Sequence, residues 1–120
     1  MARLPGAYEA FRKRHKDIAE AYDRLGEAAA EAGPLDPKTR ELVKLGIALG
    51  AGLEGAVHSH VRRALEAGAK PEEIRHAALL ALTTAGFPSM MSGLTWVDDV
   101  LGAGPGRGQQ RPSVRRRPRK

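Results

Sequence analysis

Residues 54–74 read EGAVHSHVRRALEAGAKPEEI, and this stretch decides the fold. Val57, Val61 and Ala64 recur at spacings of four and three, the period of one helix face. A helix is therefore predicted from about Glu54 to Ala67. Gly68 is its stop, because glycine takes the left-handed conformation that closes a helix without steric cost. Lys70–Pro71–Glu72–Glu73 starts the next helix. Proline fits the first helical position, and acids in the first turn complement the positive end of the helix dipole. That helix carries Ile74, Ala77, Ala78, Ala81 and Leu82 on its apolar side.

The same grammar extends in both directions. Upstream, Asp36–Pro37 places a cap residue before a proline and predicts a helix to about Leu49, after which Gly50, Gly52 and Gly55 loosen the backbone. Further upstream, Tyr8, Phe11, His15, Ile18, Tyr22, Leu25 and Ala29 follow one another at spacings of three and four. They predict one helix of about seven turns, opened at Pro5 and ended at Gly33–Pro34. Its stripe is narrow, like a coiled-coil seam, and calls for a partner groove within the subunit or in a neighbour. Downstream, Gly86–Phe87–Pro88 turns the chain into a last helix from about Ser89 to Leu101. Alternating strand patterns are missing and aromatics make up 4% of the chain, so the fold class is all-α.

Charge is divided unevenly. The net charge is +6. Residues 102–120 hold seven basic residues and no acid, whereas the remainder holds 13 basic against 14 acidic residues. A near-neutral helical domain, residues 1–101 with its core in 33–101, is thus expected to carry a disordered basic tail, residues 102–120. Seven cations without aromatics give that tail at most weak, salt-dependent binding to polyanions. Cysteine is absent, which excludes disulfides, thiolate metal sites and thiol catalysis in this chain. Ala77 to Val97 holds no charged residue, but Gly86–Phe87–Pro88 breaks it, so a pair of core helices is expected and not a membrane span. The opening residues lack the apolar run of a signal peptide, and the expected compartment is the cytoplasm.

The chemistry falls on a few side chains. His15 and His76 read as structural or partly exposed histidines. His58 and His60 lie two residues apart on one helix, about 200° around its axis, so they do not face one pocket. That spacing argues against a paired-histidine metal site. His60 shares the side of Val57, Val61 and Ala64 and is the better catalytic candidate, as a general acid or base. Glu41 borders the apolar side of its own helix. It reads either as a surface acid pairing with Arg40 or Lys44, or as a proton-exchanging partner of His60; spacing does not show that the two meet. His58, Arg62 and Arg63 are candidates for attracting an acidic substrate, although arginines at such positions are more often solvated. The turn Thr83–Met91 offers hydroxyls and amides at a helix N-terminus, suited to an anion or simply to a tight turn.

Taken together, Leu35–Asp36–Pro37–Lys38–Thr39–Arg40–Glu41–Leu42–Val43, the run His60–Ala69, Pro71–Glu72–Glu73–Ile74 and Gly86–Phe87–Pro88 resemble the carboxymuconolactone decarboxylase and alkylhydroperoxidase D-like family over about residues 33–101. The resemblance implies a bundle of five to six helices, assembled as a trimer or hexamer. In the peroxidase branch a glutamate, two cysteines and a histidine form the site. Glu41 and His60 stand at the first and last of these positions, and Leu53 and Ala56 stand where the cysteines would be. Thiol peroxidase chemistry is therefore not expected. The decarboxylase branch implies acid/base chemistry on a lactone acid without metal or organic cofactor, with an acid at the position of Ala56; Glu54 is the nearest acid here. Two functions follow: a cofactor-free lyase or isomerase using His60 and Glu41 on a small carboxylated substrate, or a non-catalytic oligomeric binding or scaffold protein that has lost the chemistry.

Overall fold

A computed structural model describes residues 6–102. These form six α-helices and no strand: α1 (Gly6–Arg14), α2 (Lys16–Ala30), α3 (Pro37–Gly50), α4 (Glu54–Glu66), α5 (Pro71–Leu79) and α6 (Phe87–Leu101), with a short 3-10 turn at Leu80–Thr83 between the last two. The fold is all-α, as the periodicity predicts. The basic tail expected beyond Leu101 lies outside the described residues except for Gly102. No described helix is long and apolar enough to cross a membrane, and the uncharged stretch 77–97 is divided among α5, the 3-10 turn and α6.

The chain divides into two units, Met1–Asp36 and Pro37–Lys120. In the first, the single helix of about seven turns predicted from the stripe is in fact two. The backbone leaves the helical region at His15, with φ −123° and ψ 60°. Arg12 forms a bidentate pair with Asp23, eleven residues on. In a continuous helix those residues would lie about 16 Å apart along the axis, beyond the reach of such a pair. The chain therefore bends at His15 and brings α1 back against α2. The stripe that implied one straight helix remains uncovered: Ile18, Tyr22 and Leu25 are 57%, 67% and 65% exposed.

The second unit holds the core. Leu45, Ala48 and Leu49 from α3, Val57, Val61 and Ala64 from α4, Ile74 and Ala78 from α5 and Val97 from α6 pack into one buried cluster. The stretch from which the fold was read thus supplies its centre, since Val57, Val61 and Ala64 are fully buried. Two backbone closures set the connections. After α3, Gly52 adopts φ 74°, and the amides of Gly52 and Leu53 bond to the carbonyls of Leu49 and Ala48. After α4, Gly68 adopts φ 98°, and Gly68 and Ala69 bond back to Leu65 and Ala64. Both are Schellman closures, which satisfy the last carbonyls of a helix and favour glycine at the left-handed position. The predicted start at Pro71 is also present: the Lys70 amide donates to Glu73 Oε1 at 2.8 Å. Leu82 departs from the predicted apolar face and is 42% exposed. The tighter winding of the 3-10 turn, three residues per turn, rotates it away from the line of Ile74 and Ala78.

Candidate active site

Helices α3 and α4 form a hairpin joined by residues 51–53. So short a connection makes the helices antiparallel neighbours and sets their register. Leu45 and Val57 meet in the core near the hairpin's closed end. One turn further from the connection, Glu41 on α3 and His60 on α4 come together. The His60 Nδ1–H donates to Glu41 Oε1 at 2.9 Å. Each side chain is only 16% exposed, so the pair is largely sheltered yet still open to solvent on one side.

Of the partners that the sequence offered Glu41, its carboxylate meets His60. A carboxylate on Nδ1 selects the tautomer and leaves Nε2 with a free lone pair. Partial burial strengthens the bond, because less water competes for it. The arrangement is an oriented imidazole with one nitrogen available, the minimal equipment for general acid/base chemistry.

His58 is engaged elsewhere. Its Nε2 lies 2.9 Å from Asp99 Oδ2 of α6. The expected divergence of His58 and His60 is thus realised: one imidazole turns to α3 and the other to α6. Arg62 follows His58 by one helical turn and belongs to that same side of α4. His76 is exposed and His15 sits at the bend of the first unit, its ring 5.2 Å from that of Phe11. Of the positions that match the absent cysteines, Leu53 is 53% exposed and Ala56 is partly buried against the core. Leu53, just before the first turn of α4, thus holds its side chain outward.

A separate groove, of about 640 Å3, runs between α3 and the α5–3-10 segment, lined by Val43, Ile47, Ala77, Leu80 and Ala81 among others, with Thr39, Glu73, His76 and Thr84 as polar members. Neither Glu41 nor His60 lines it. Sequence reasoning missed this groove because its walls are small or exposed apolar residues from three segments, a pattern that reads as ordinary core-facing helix. Glu73 at its edge holds its charge unusually well. The Lys70 amide, and then the ammonium of Lys38 at 3.0 Å, keep its carboxyl below the usual glutamate range.

An all-helical subunit with a carboxylate-oriented histidine across a helical hairpin, and without a thiol, defines a class of small acid/base-equipped helical proteins. Comparison with known families narrows it: residues 16–99 match the carboxymuconolactone decarboxylase family, and the chain belongs to that family. The solved structure of apo-lpg0406, a carboxymuconolactone decarboxylase family protein from Legionella pneumophila, is similar with a TM-score of 0.69 and 25% identity, covering 79% of this chain and 85% of that one. An uncharacterized protein of Haemophilus influenzae is 40% identical over 52 residues, 43% of this chain. The match spans 46% of that relative's length.

Proposed function

We propose that this protein is a cofactor-free acid/base catalyst, a lyase or isomerase acting on a small carboxylated substrate. The observation that carries this reading is the 2.9 Å bond between His60 Nδ1 and Glu41 Oε1 in a site that is sheltered but open. In the proposed mechanism His60 Nε2 takes a proton from carbon next to a substrate carbonyl and returns it at the adjacent position or to the leaving atom. Glu41 holds the ring in place and stabilises its protonated form without itself touching the substrate. Arg62 lies on the other side of α4, and its proposed part is to draw an anionic substrate towards the subunit.

The test is turnover of a panel of lactone acids and β-keto acids by the purified full chain. His60→Ala is expected to lower the rate by about 10²–10⁴-fold, the usual contribution of a positioned general acid or base. Glu41→Gln keeps the shape and an acceptor oxygen but removes the charge, so a smaller loss in kcat is expected with KM little changed. Turnover unaffected by His60→Ala removes this mechanism.

A second reading is favoured by the groove, which is apolar and stands apart from the pair. On that reading the protein binds or scaffolds, and the retained Glu41–His60 bond serves to lock the hairpin. No turnover across the panel, together with a lower melting temperature for both Glu41→Gln and His60→Ala, supports it. On either reading we propose a homo-oligomer, a trimer or hexamer, because the α1–α2 stripe is apolar and uncovered.

A further inference from the structure

We propose that Glu54, His58 and Asp99 form a binding site for a divalent transition-metal cation such as Zn2+, on the α4–α6 side and separate from the Glu41–His60 pair. Glu54 and His58 are four residues apart in α4, which stacks their side chains on one face one turn apart. Asp99 comes from α6, which packs against α4. One donor atom from each of the three residues lies within 4.8 Å of the others, and His58 Nε2 is already 2.9 Å from Asp99 Oδ2. Bonds of about 2.0–2.2 Å from a metal to nitrogen and oxygen donors need only small rotations of the two exposed carboxylates. One imidazole and two carboxylates on rigid helices suit a borderline cation and leave coordination positions open.

The charge distribution points the same way independently. Asp98 and Asp99 both lie in the last turn of α6, where the helix dipole disfavours carboxylates. Asp98 is compensated by Arg75 at 3.0 Å. Asp99 has no lysine or arginine partner among the described residues, and neither has Glu54. Glu54 lies in the first turn of α4, where the helix dipole favours it, so Asp99 is the carboxylate faced, among the described residues, only by a histidine that carries charge only when protonated. A cation seated among the three satisfies both carboxylates and uses the Nε2 lone pair of neutral His58. The cation takes the Nε2 position that now faces Asp99, and the ring proton of neutral His58 then sits on Nδ1.

The experiment is calorimetric titration of Zn2+ into the metal-free full chain, without an affinity tag. Saturable binding of one equivalent per chain is expected, with a rise in melting temperature. His58→Gln and Asp99→Asn are each expected to weaken binding by at least about tenfold, the lower end of what even outer-sphere changes cost a metal site. Glu54→Gln is expected to weaken it as well, and His15→Gln to leave it unchanged. Absence of saturable binding overturns the proposal, as does binding that survives His58→Gln or Asp99→Asn undiminished. Melting of the zinc-free variants, followed in parallel, shows that each is folded and keeps loss of a ligand distinct from loss of the fold. His60→Ala is expected to bind Zn2+ as the wild type does, so failure of the catalytic reading does not decide this one.

Discussion

Gly93 shows how closely the core of the second unit is fitted. It is buried in α6, and a methyl group added there would overlap the Cδ1 and Cγ atoms of Leu49. Glycine inside a helix costs stability relative to alanine when nothing else intervenes. Here the close approach of α6 to α3 reverses that preference. Gly93→Ala is expected to destabilise the fold by about 1–3 kcal/mol, the range for an overpacked core, measured by urea unfolding. The cause is checked by a cycle: in a Leu49→Ala background the same substitution is expected to cost much less, since the obstructing side chain is gone. Equal cost in both backgrounds would place the strain elsewhere. The Glu41–His60 contact has a different standing at this scale. Each residue was readable as a candidate from its type and its place beside an apolar face. Their bond was not, because it depends on the register of two helices, which the sequence encodes only through the length of the connection at residues 51–53. Counting outward from that connection, as one would along a β-hairpin, is the signal that could have paired them. The His58–Asp99 contact had no such signal, since α4 and α6 are joined through two other elements.

At the scale of elements, the boundaries that proline and glycine mark were legible, and for a physical reason: Gly68, Pro71 and Pro37 act through backbone sterics, which do not depend on the rest of the fold. The bend at His15 was not legible, because no breaker residue stands there and the three–four spacing runs through it. The Arg12–Asp23 pair between α1 and α2 accompanies the bend, in a place where local periodicity alone would continue the helix. The start of α5 allows a test by pH. The Lys70 amide and then Lys38 hold the folded-state pKa of Glu73 below that of the unfolded chain. A depressed carboxylate contributes stability above its unfolded pKa, about 4.3, and loses that contribution as the pH falls through the folded value. Glu73→Gln retains a carbonyl oxygen for the Lys70 amide and removes the charge. The wild type is therefore expected to melt above the variant at neutral pH, with the gap closing in acid. Thermal denaturation between neutral pH and pH about 3 measures it; a gap that is constant across that range would show that the charge contributes nothing.

For the whole molecule, the sheltered pair, the apolar groove and the exposed stripe impose different requirements. The pair and the core are complete within residues 37–102. Within the first unit the stripe is left uncovered, with Ile18, Tyr22 and Leu25 exposed at helical spacing. Scattered exposed leucines are ordinary on a protein surface, but a contiguous row is the mark of an interface. The homo-oligomer proposed above would cover such a row with a second copy of the chain. Full burial of one side chain of this size is worth about 1.5–3 kcal/mol, so two such contacts account for a large part of a subunit association. On the proposed assembly, the double variant Ile18→Glu with Leu25→Glu is expected to run as a monomer by light scattering at concentrations where the wild type runs as an oligomer. Its core is expected to be intact, since neither residue belongs to the buried cluster, and its circular dichroism is expected to remain helical. A wild type that is itself monomeric, or a variant that keeps the wild-type mass, would mean that the stripe is covered by something other than this chain. If the variant becomes monomeric and keeps its turnover, the Glu41–His60 pair acts within one subunit; if it loses turnover while the pair's hairpin stays folded, the assembly itself shapes the substrate site.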